Sequence, residues 1–232
     1  MAISQIFPQK LSDKIIKKKS IYELKKNVFT FATEMEETHK KIVEESVQLF
    51  LKFGIRSVTM DDVSRELGIS KKTLYKYVGN KTELVEQGVK MTFSRILEDM
   101  KEIASNTENA IDELFKIDEY FDNMMRTQHP AMMFQLRKYH AETFNWLEGS
   151  KIDFILNTTR DNLKRGTAQG YYREGINHDY ISYIYLAQAV VMESEIIPES
   201  ICESSDFHRE HVIYHIRGIG TAKGLEYLQQ KL

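Results

Sequence analysis

The stretch Thr59–Lys81, TMDDVSRELGISKKTLYKYVGNK, limits what this chain can fold into more than any other part of it. Thr59 followed three residues later by Asp62 is a capping-box spacing, in which each side chain satisfies an amide of the first turn, so a helix is predicted from Met60. Val63 and Leu67 fall four apart on one face, and Gly68 supplies the left-handed residue that stops the helix. Ser70 can cap a second helix, predicted over Lys71 to Tyr77, with Leu74 and Val78 facing back to the first. Gly79 ends that helix, and Asn80 with Glu83 can cap the next. Two helices across a Gly turn of this length make a helix-turn-helix, whose second helix can enter a DNA major groove. From Ile69 to Lys81 stand Lys71, Lys72, Lys76 and Lys81 and no acid, a local charge of +4. Thr73, Tyr75 and Tyr77 lie among those lysines as hydrogen-bond donors and flat contact surfaces. A surface hairpin with a solvated lysine face is the competing reading of the same residues; the acid-free second helix favours nucleic acid.

A formal net charge of -2 over 232 residues excludes a general polycation, so any nucleic-acid contact must come from a local patch such as Lys71–Lys81. With 42% hydrophobic and 28% charged residues, 3 Pro and 11 Gly, the chain reads as folded and soluble. It is long enough to bury a substantial core in one or two domains. No stretch approaches the roughly 18 apolar residues of a membrane span, and the first residues lack the apolar centre of a secretion signal. The single cysteine, Cys202, rules out an intramolecular disulfide framework and suits a reducing cytoplasm.

Between Lys10 and Lys26, seven lysines face only Asp13 and Glu23, a balance of +5. For residues 1–34 three readings stand: a basic arm on DNA, an extra solvated helix, or an over-long start with the protein beginning at Met35. From Glu36 to Phe53, Ile42, Ser46, Leu49, Phe50 and Phe53 keep a helical spacing that Gly54 closes. The three helices over about Glu36–Val78 share a small core of Ile42, Phe50, Val63, Leu67, Leu74 and Val78, too small to be stable without support from later helices. A long helix, Thr82–Ser105, is predicted to connect this unit mechanically to the rest. Further helices are expected from Ile111 to before His129-Pro130, from Pro130 to Gly149, and from a Ser150 cap to Gly166–Gly170. Two more should run from Asp179 to about Ile197, capped by Asn177, and over about Phe207–Gln230, with Pro198–Ser205 as a loop between them. No β-alternating segment or repeat competes, so the fold class is all-α. The domain division is a basic extension over 1–34, a helix-turn-helix domain over 35–81, and a helical domain over 82–232.

In this order of features the chain resembles the TetR/AcrR family of bacterial transcriptional regulators. The resemblance rests on Ile42…Ser46…Leu49-Phe50…Gly54, on Thr59-Met60-Asp61-Asp62-Val63, on Leu67 through Tyr77, and on Asn80-Lys81…Leu84. It implies a homodimer on a palindromic double-stranded DNA operator, usually a repressor, released when a small molecule binds the C-terminal domain. Carried over residue by residue, it makes Lys71, Lys72, Thr73, Tyr75, Lys76 and Tyr77 the recognition-helix contacts and Lys81 a grip on backbone phosphate. Thr59 and Ser70, at helix N-termini whose free N–H groups attract phosphate, join that set. Two departures, Lys72 at a position commonly small or proline and the extra Lys76, suggest a stronger backbone component. An activator, a ligand-binding helical protein with a vestigial helix-turn-helix, and a module using its basic arm on membrane or nucleic acid are the alternatives. No metal set, catalytic Ser/His/Asp arrangement or phosphate loop argues for an enzyme or a cofactor.

The candidate small-molecule site comprises Phe93, Leu97, Phe115, Phe121, Met125, Met133, Phe134 and Trp146, an adaptable Met and aromatic set of a kind that is more often plain core, read as a pocket because the resemblance implies a ligand site between these helices. His208, His211 and His215 lie at i, i+3 and i+7 and could ligate a metal, but no acid or Cys completes the set, and a polar face of a dimer interface is preferred. That homodimer interface is placed on about 178–197 and 207–230. Gly218, Gly220 and Gly224 fall along the predicted last helix, where glycine costs about 1 kcal/mol relative to Ala, a cost understandable if two subunits' backbones approach closely.

Overall fold

The structure, a computed structural model, describes residues 35–126, 131–192, 196–202 and 204–232. Among them are eleven helices and no strand, only an isolated antiparallel bridge between Tyr172 and Gly220. The expectations for residues 1–34 and for His129-Pro130 lie outside the described residues.

Helix α1 (35–53) precedes α2 (Met60–Glu66), α3 (Lys71–Leu74) and α4 (Lys81–Asn106). The capping box at Thr59 is present in both directions, with the Asp62 amide donating to the Thr59 side chain and the Thr59 amide to Asp62. Gly68, at φ +64°, closes α2 with the Gly68 and Ile69 amides donating back to Arg65 and Ser64, a Schellman arrangement. The Ser70 side chain accepts from the Thr73 amide, and Asn80 from the Glu83 amide. Glu83 accepts from the Gly79 amide rather than from Asn80. The second helix is shorter than predicted. Its α-turn ends at Leu74, and the chain reaches Tyr77 in tighter turns, the Lys76 and Tyr77 amides donating three residues back.

The α4 helix is about 39 Å long at 1.5 Å per residue. Beyond it come α5 (Ala110–Arg126), α6 (Met132–Tyr139), α7 (Ala141–Ala168), α8 (His178–Met192), α9 (Glu199–Cys202), α10 (Ser205–Ile219) and α11 (Ala222–Gln229). Four boundaries correct the sequence reading. The helix expected to run from Pro130 to Gly149 breaks instead at His140, whose φ of -138° and ψ of 53° turn α6 into α7. Gly149 and Ser150 lie inside α7, so Ser150 caps nothing: open space around Gly149 lets the helix continue at only the modest cost of glycine. The 198–205 loop contains the short helix α9, and α8 is described as far as Met192, with Ile196 and Ile197 lying outside any helix. The last helix is two: Gly220 adopts extended backbone, Thr221 caps α11, and the Tyr171–Arg173 segment pairs with the break through Arg173 N–H to Ile219 O and Thr221 N–H to Tyr171 O, both 2.9 Å.

Two cores result. The C-terminal one gathers Ile111 and Leu114 of α5, Leu163 of α7, Tyr172, Val212, Ile213 and Ile216 of α10, and Leu228 of α11. Tyr172 fits because Gly166 has no side chain; a Cβ there would stand 2.1 Å from the ring. At the end of α4, Arg165 of α7 donates to the carbonyls of Ala104 and Thr107 and to buried Glu113, at 2.9 Å for the carboxylate. That one guanidinium ties α4, α5 and α7 together.

The N-terminal core contains the predicted Ile42, Phe50, Val63, Leu74 and Val78, with Leu67 at its edge. It also takes in Leu84 and Val85 of α4 and, from far along the chain, Leu136 of α6, with Met132, Met133, Phe144 and Leu147 packed against it. The unit does lean on later helices, and α6 supplies a large part of the support.

Candidate nucleic-acid interface

The hairpin presents its residues according to how α3 is buried. Leu74 and Val78 point into the core, which turns Lys71, Lys72, Tyr75 and Lys76 outward, Tyr75 being 49% exposed. Thr73 and Tyr77 are half-buried, and Tyr77 packs against the N-terminal core, so its ring is a support for the surface as much as part of it. The lysines differ in freedom. Lys71 Nζ lies 2.5 Å from Asp61 Oδ1 of α2, whereas Lys72 and Lys76 form no ion pair among the described residues. Both candidate cap residues are engaged. The Thr59 hydroxyl donates to Asp62 at 2.6 Å, and Ser70 Oγ lies 2.9 Å from Thr73 Oγ1. Their value toward phosphate would come from the capped helix ends rather than from free hydroxyls.

Lys81 stands at the start of α4 with its Nζ 3.4 Å from the Arg56 carbonyl. Partial burial holds its ammonium below the ordinary lysine range, partly offset by the attraction of Asp62. A lysine already stripped of some water, with one weak carbonyl partner, can exchange that partner for a phosphate oxygen at modest cost.

Residues that the sequence reading missed lie beside Lys81. Arg56, exposed in the α1–α2 turn, donates its amide to Gln135 Oε1 of α6 at 2.7 Å and its guanidinium to the Tyr139 hydroxyl at 3.3 Å. Gln135 also covers Gly54, where a Cβ would meet its amide group at 3.1 Å. No local spacing connects residues so far apart in sequence, although the acid-free run Arg137-Lys138-Tyr139 carried a faint basic signal.

The candidate ligand set is divided by the fold. Phe93 of α4 meets Trp146 of α7 edge-on at 5.7 Å and Phe154 of α7 at 6.3 Å, and Phe121 of α5 lies 6.2 Å from Phe154. Leu97 is half-buried one turn beyond Phe93. Three residues go elsewhere. Met133 packs on the N-terminal core, Phe134 is 62% exposed on the outer face of α6, and Phe115 packs on the C-terminal core under Arg209. The side chain of Met125 lies outside the described residues. Phe154, which the sequence reading passed over, is the ring that joins the remaining members. A groove of about 310 Å³ lies farther along α4, between Asp99, Asn106 and Tyr120.

The histidine triplet does not form one outer polar face. His211 and His215 turn inward against α8, each ring 4.7 Å from the ring of Tyr185, and His211 Nε2 lies 3.1 Å from Gln188 Oε1. Burial pushes both imidazoles down to about 4, and His215 Nε2 is buried without a hydrogen-bond partner.

Residues 42–87 match the family model described as bacterial regulatory proteins, tetR family. The uncharacterized HTH-type transcriptional regulator YvaF of Bacillus subtilis (strain 168) is 30% identical over 111 residues, which are 47% of this chain and 56% of that protein. The match thus spans little more than half of that relative. Among solved structures, a transcriptional regulator from Cytophaga hutchinsonii ATCC 33406 superposes with a TM-score of 0.65 at 16% identity, over 78% of this chain and 98% of that one. The fatty acid degradation regulator FadR from Bacillus halodurans does so with a TM-score of 0.58 at 12% identity, over 77% and 94%. At such identities these two show a common fold. The sequence match lies at the hairpin: over residues 42–87 the chain is similar to the tetR family of bacterial regulatory proteins.

Proposed function

We propose that this protein is a transcriptional regulator and not an enzyme, acting in the cytoplasm as a homodimer on a palindromic double-stranded operator, as a repressor released by a small molecule. The observation that carries the reading is α3: an acid-free turn whose apolar residues are buried and whose Lys72, Tyr75 and Lys76 are left facing out. Thr59, Ser70, Lys71, Thr73, Tyr77 and Lys81 complete the DNA face around it. Lysines reach phosphates or guanine edges, and Tyr75 offers a phosphate donor or a flat face for a thymine methyl. Among the described residues no helix is long and apolar enough to cross a membrane.

The dimer is supported by α8. Tyr180, Tyr183, Ile184, Ala187 and Val190 recur at helical spacing along it, all exposed, Tyr180 at 70%. Tyr214 on α10 adds a further exposed ring. An apolar stripe of this size is costly in water and suits the isologous face of a C₂ pair over about 178–197 and 207–230. Such a pair would set two α3 helices one DNA turn, about 34 Å, apart. The ligand's seat is the aromatic group of Phe93, Phe121, Trp146 and Phe154, between α4, α5 and α7. A molecule lodged there acts through its difference in affinity between DNA-competent and incompetent states, with α4, α6 and the start of α7 as elements that reach the N-terminal core.

The experiment is a gel shift on the DNA upstream of the coding region, comparing the natural protein with Tyr75→Ala and Lys81→Ala. Both variants should bind markedly more weakly. Binding unchanged in both would remove the DNA face assigned here, and a natural protein with no salt-sensitive DNA affinity would remove the reading altogether.

A further inference from the structure

Helix α6 lies outside the hairpin in sequence, yet it is built into the N-terminal unit. Leu136 is 1% exposed in that core, and Gln135 and Tyr139 hold Arg56 by its amide and its guanidinium. Arg56 in turn accepts Lys81 Nζ at its carbonyl. The chain of contacts Lys81–Arg56–Tyr139 therefore leads without interruption from the start of α4 to the exposed side of α6.

That side is basic and aromatic. Phe134, Arg137, Lys138 and Tyr139 are exposed, and Lys138 Nζ sits 5.4 Å from the centroid of Phe134 and 5.5 Å from that of Tyr139. The Arg56 guanidinium lies 5.6 Å from the same Tyr139 ring. No acid occurs in Met132–Tyr139 or in the turn from Lys52 to Met60. Among the described residues none of Lys52, Arg56, Arg137 and Lys138 forms an ion pair with a carboxylate. On a protein whose formal charge is -2, Arg56 and Lys138, joined through the Tyr139 ring and continuous with Lys81, are a local cluster of cations with no carboxylate partner of their own. The rings flanking Lys138 restrict its rotamers, which reduces the entropy lost when it binds.

We propose that Arg56 and Lys138 form a second DNA-backbone contact, in which α6 grips phosphates flanking the stretch read by α3. The inference rests on the DNA-binding reading above and extends it to an element of the C-terminal part of the chain. The chemistry recognised is the phosphodiester backbone. A guanidinium supplies fork-shaped donors, and a ring-held ammonium supplies a point charge, neither of which reads a base. One consequence is that a shift of α6 would alter DNA affinity directly, without moving the hairpin.

The test is fluorescence anisotropy with a labelled upstream duplex and an unrelated duplex, each across a salt series, for the natural protein, Arg56→Gln, Lys138→Gln and the double variant. Both side chains are exposed, and a thermal melt unchanged from the natural protein confirms that the variants fold. The expected result is a loss of affinity by a similar factor on both duplexes. It should come with a dependence of log affinity on log salt that is shallower by about 0.9 for each cation removed per site. Lys138→Glu should weaken binding further. If the natural protein binds with a salt dependence that the variants reproduce, the α6 contact is overturned while the hairpin reading stands. If the variants instead alter dimer formation and leave the salt slope alone, the patch is a protein contact and the proposal also fails. A natural protein that binds neither duplex overturns both.

Discussion

The Arg56 amide donates to Gln135 Oε1 at 2.7 Å across 79 residues of sequence, and beside that bond Leu136 enters the core formed by Val63 and Leu74. The N-terminal unit is therefore completed by a helix from the second half of the chain. Leu136→Ala should destabilise it by about 2–5 kcal/mol through lost burial and the cavity left behind. Hydrogen exchange should report the loss as faster exchange of amides in α2 and in the α3 turn, with α10 little changed. Uniform loss of protection in both cores, or none in α2, would show that α6 does not carry this load.

Glycines near the end of the chain divide by what surrounds them. A Cβ on Gly224 would stand 2.1 Å from the Tyr171 carbonyl oxygen, whereas nothing lies within 4 Å of one on Gly218. Gly224→Ala should force the Tyr171–Thr221 contact apart and lower the melting temperature by several degrees, roughly the effect of 1–3 kcal/mol. Gly218→Ala should be neutral or stabilising by up to about 1 kcal/mol. Equal effects of the two in thermal melts would overturn the distinction. The close backbone approach expected between subunits is thus found, for Gly224, within one chain.

His215 gives the fold an acid limit. Burial, with the neighbouring His211 adding to it, pushes its imidazole down to about 4. The ring packs on Tyr185 and its Nε2 has no partner to stabilise a proton. The unfolded chain takes up that proton near pH 6.5, so from about 6.5 down to about 4 only the unfolded state gains it. Stability should fall as pH falls through that window, by about 1.4 kcal/mol per pH unit for this ring, and be indifferent to it above. His215→Leu should flatten the acid limb in urea titrations at stepped pH. A limb of unchanged slope would assign the acid sensitivity to other groups.

The exposed stripe on α8 predicts what happens when it is charged. Ile184→Arg places a cation at its centre, on a side chain already facing solvent, so the monomer should keep its melting profile. Light scattering should then report the mass of one chain instead of two, and operator affinity should fall by at least about tenfold as the two hairpins cease to act together. A dimer that survives the substitution would place the interface elsewhere.

Much of the N-terminal half was legible beforehand, and the reason is range. The Thr59–Asp62 capping box, the Ser70 and Asn80 caps, and Gly68 at positive φ are interactions closed within four residues, and each is present, with the Glu83 carboxylate turned to the Gly79 amide instead of to Asn80. The length of α4 came from apolar residues at one period. The candidate ligand residues fared differently, because Met133, Phe134 and Trp146 share a composition but not a direction. Met133 faces one core, Trp146 another group of rings, and Phe134 the solvent. Phe154 joined the rings unnoticed because a single aromatic in an ordinary helical pattern carries no local mark.

By itself, then, the amino-acid order determined the helices' capped beginnings, the stop between α2 and α3, and the basic face that α3 turns outward. The cause is that backbone amides and carbonyls need partners close by and that a helix has only one apolar side. Only the tertiary structure decided where the long helices break and what completes the N-terminal core. At His140 and Gly220 the chain bends because distant groups, Leu136 against Val63 and Tyr171 against Thr221, gain more from meeting than an unbroken helix would return. Those gains depend on which surfaces come together, a property of the folded chain as a whole rather than of any stretch of it.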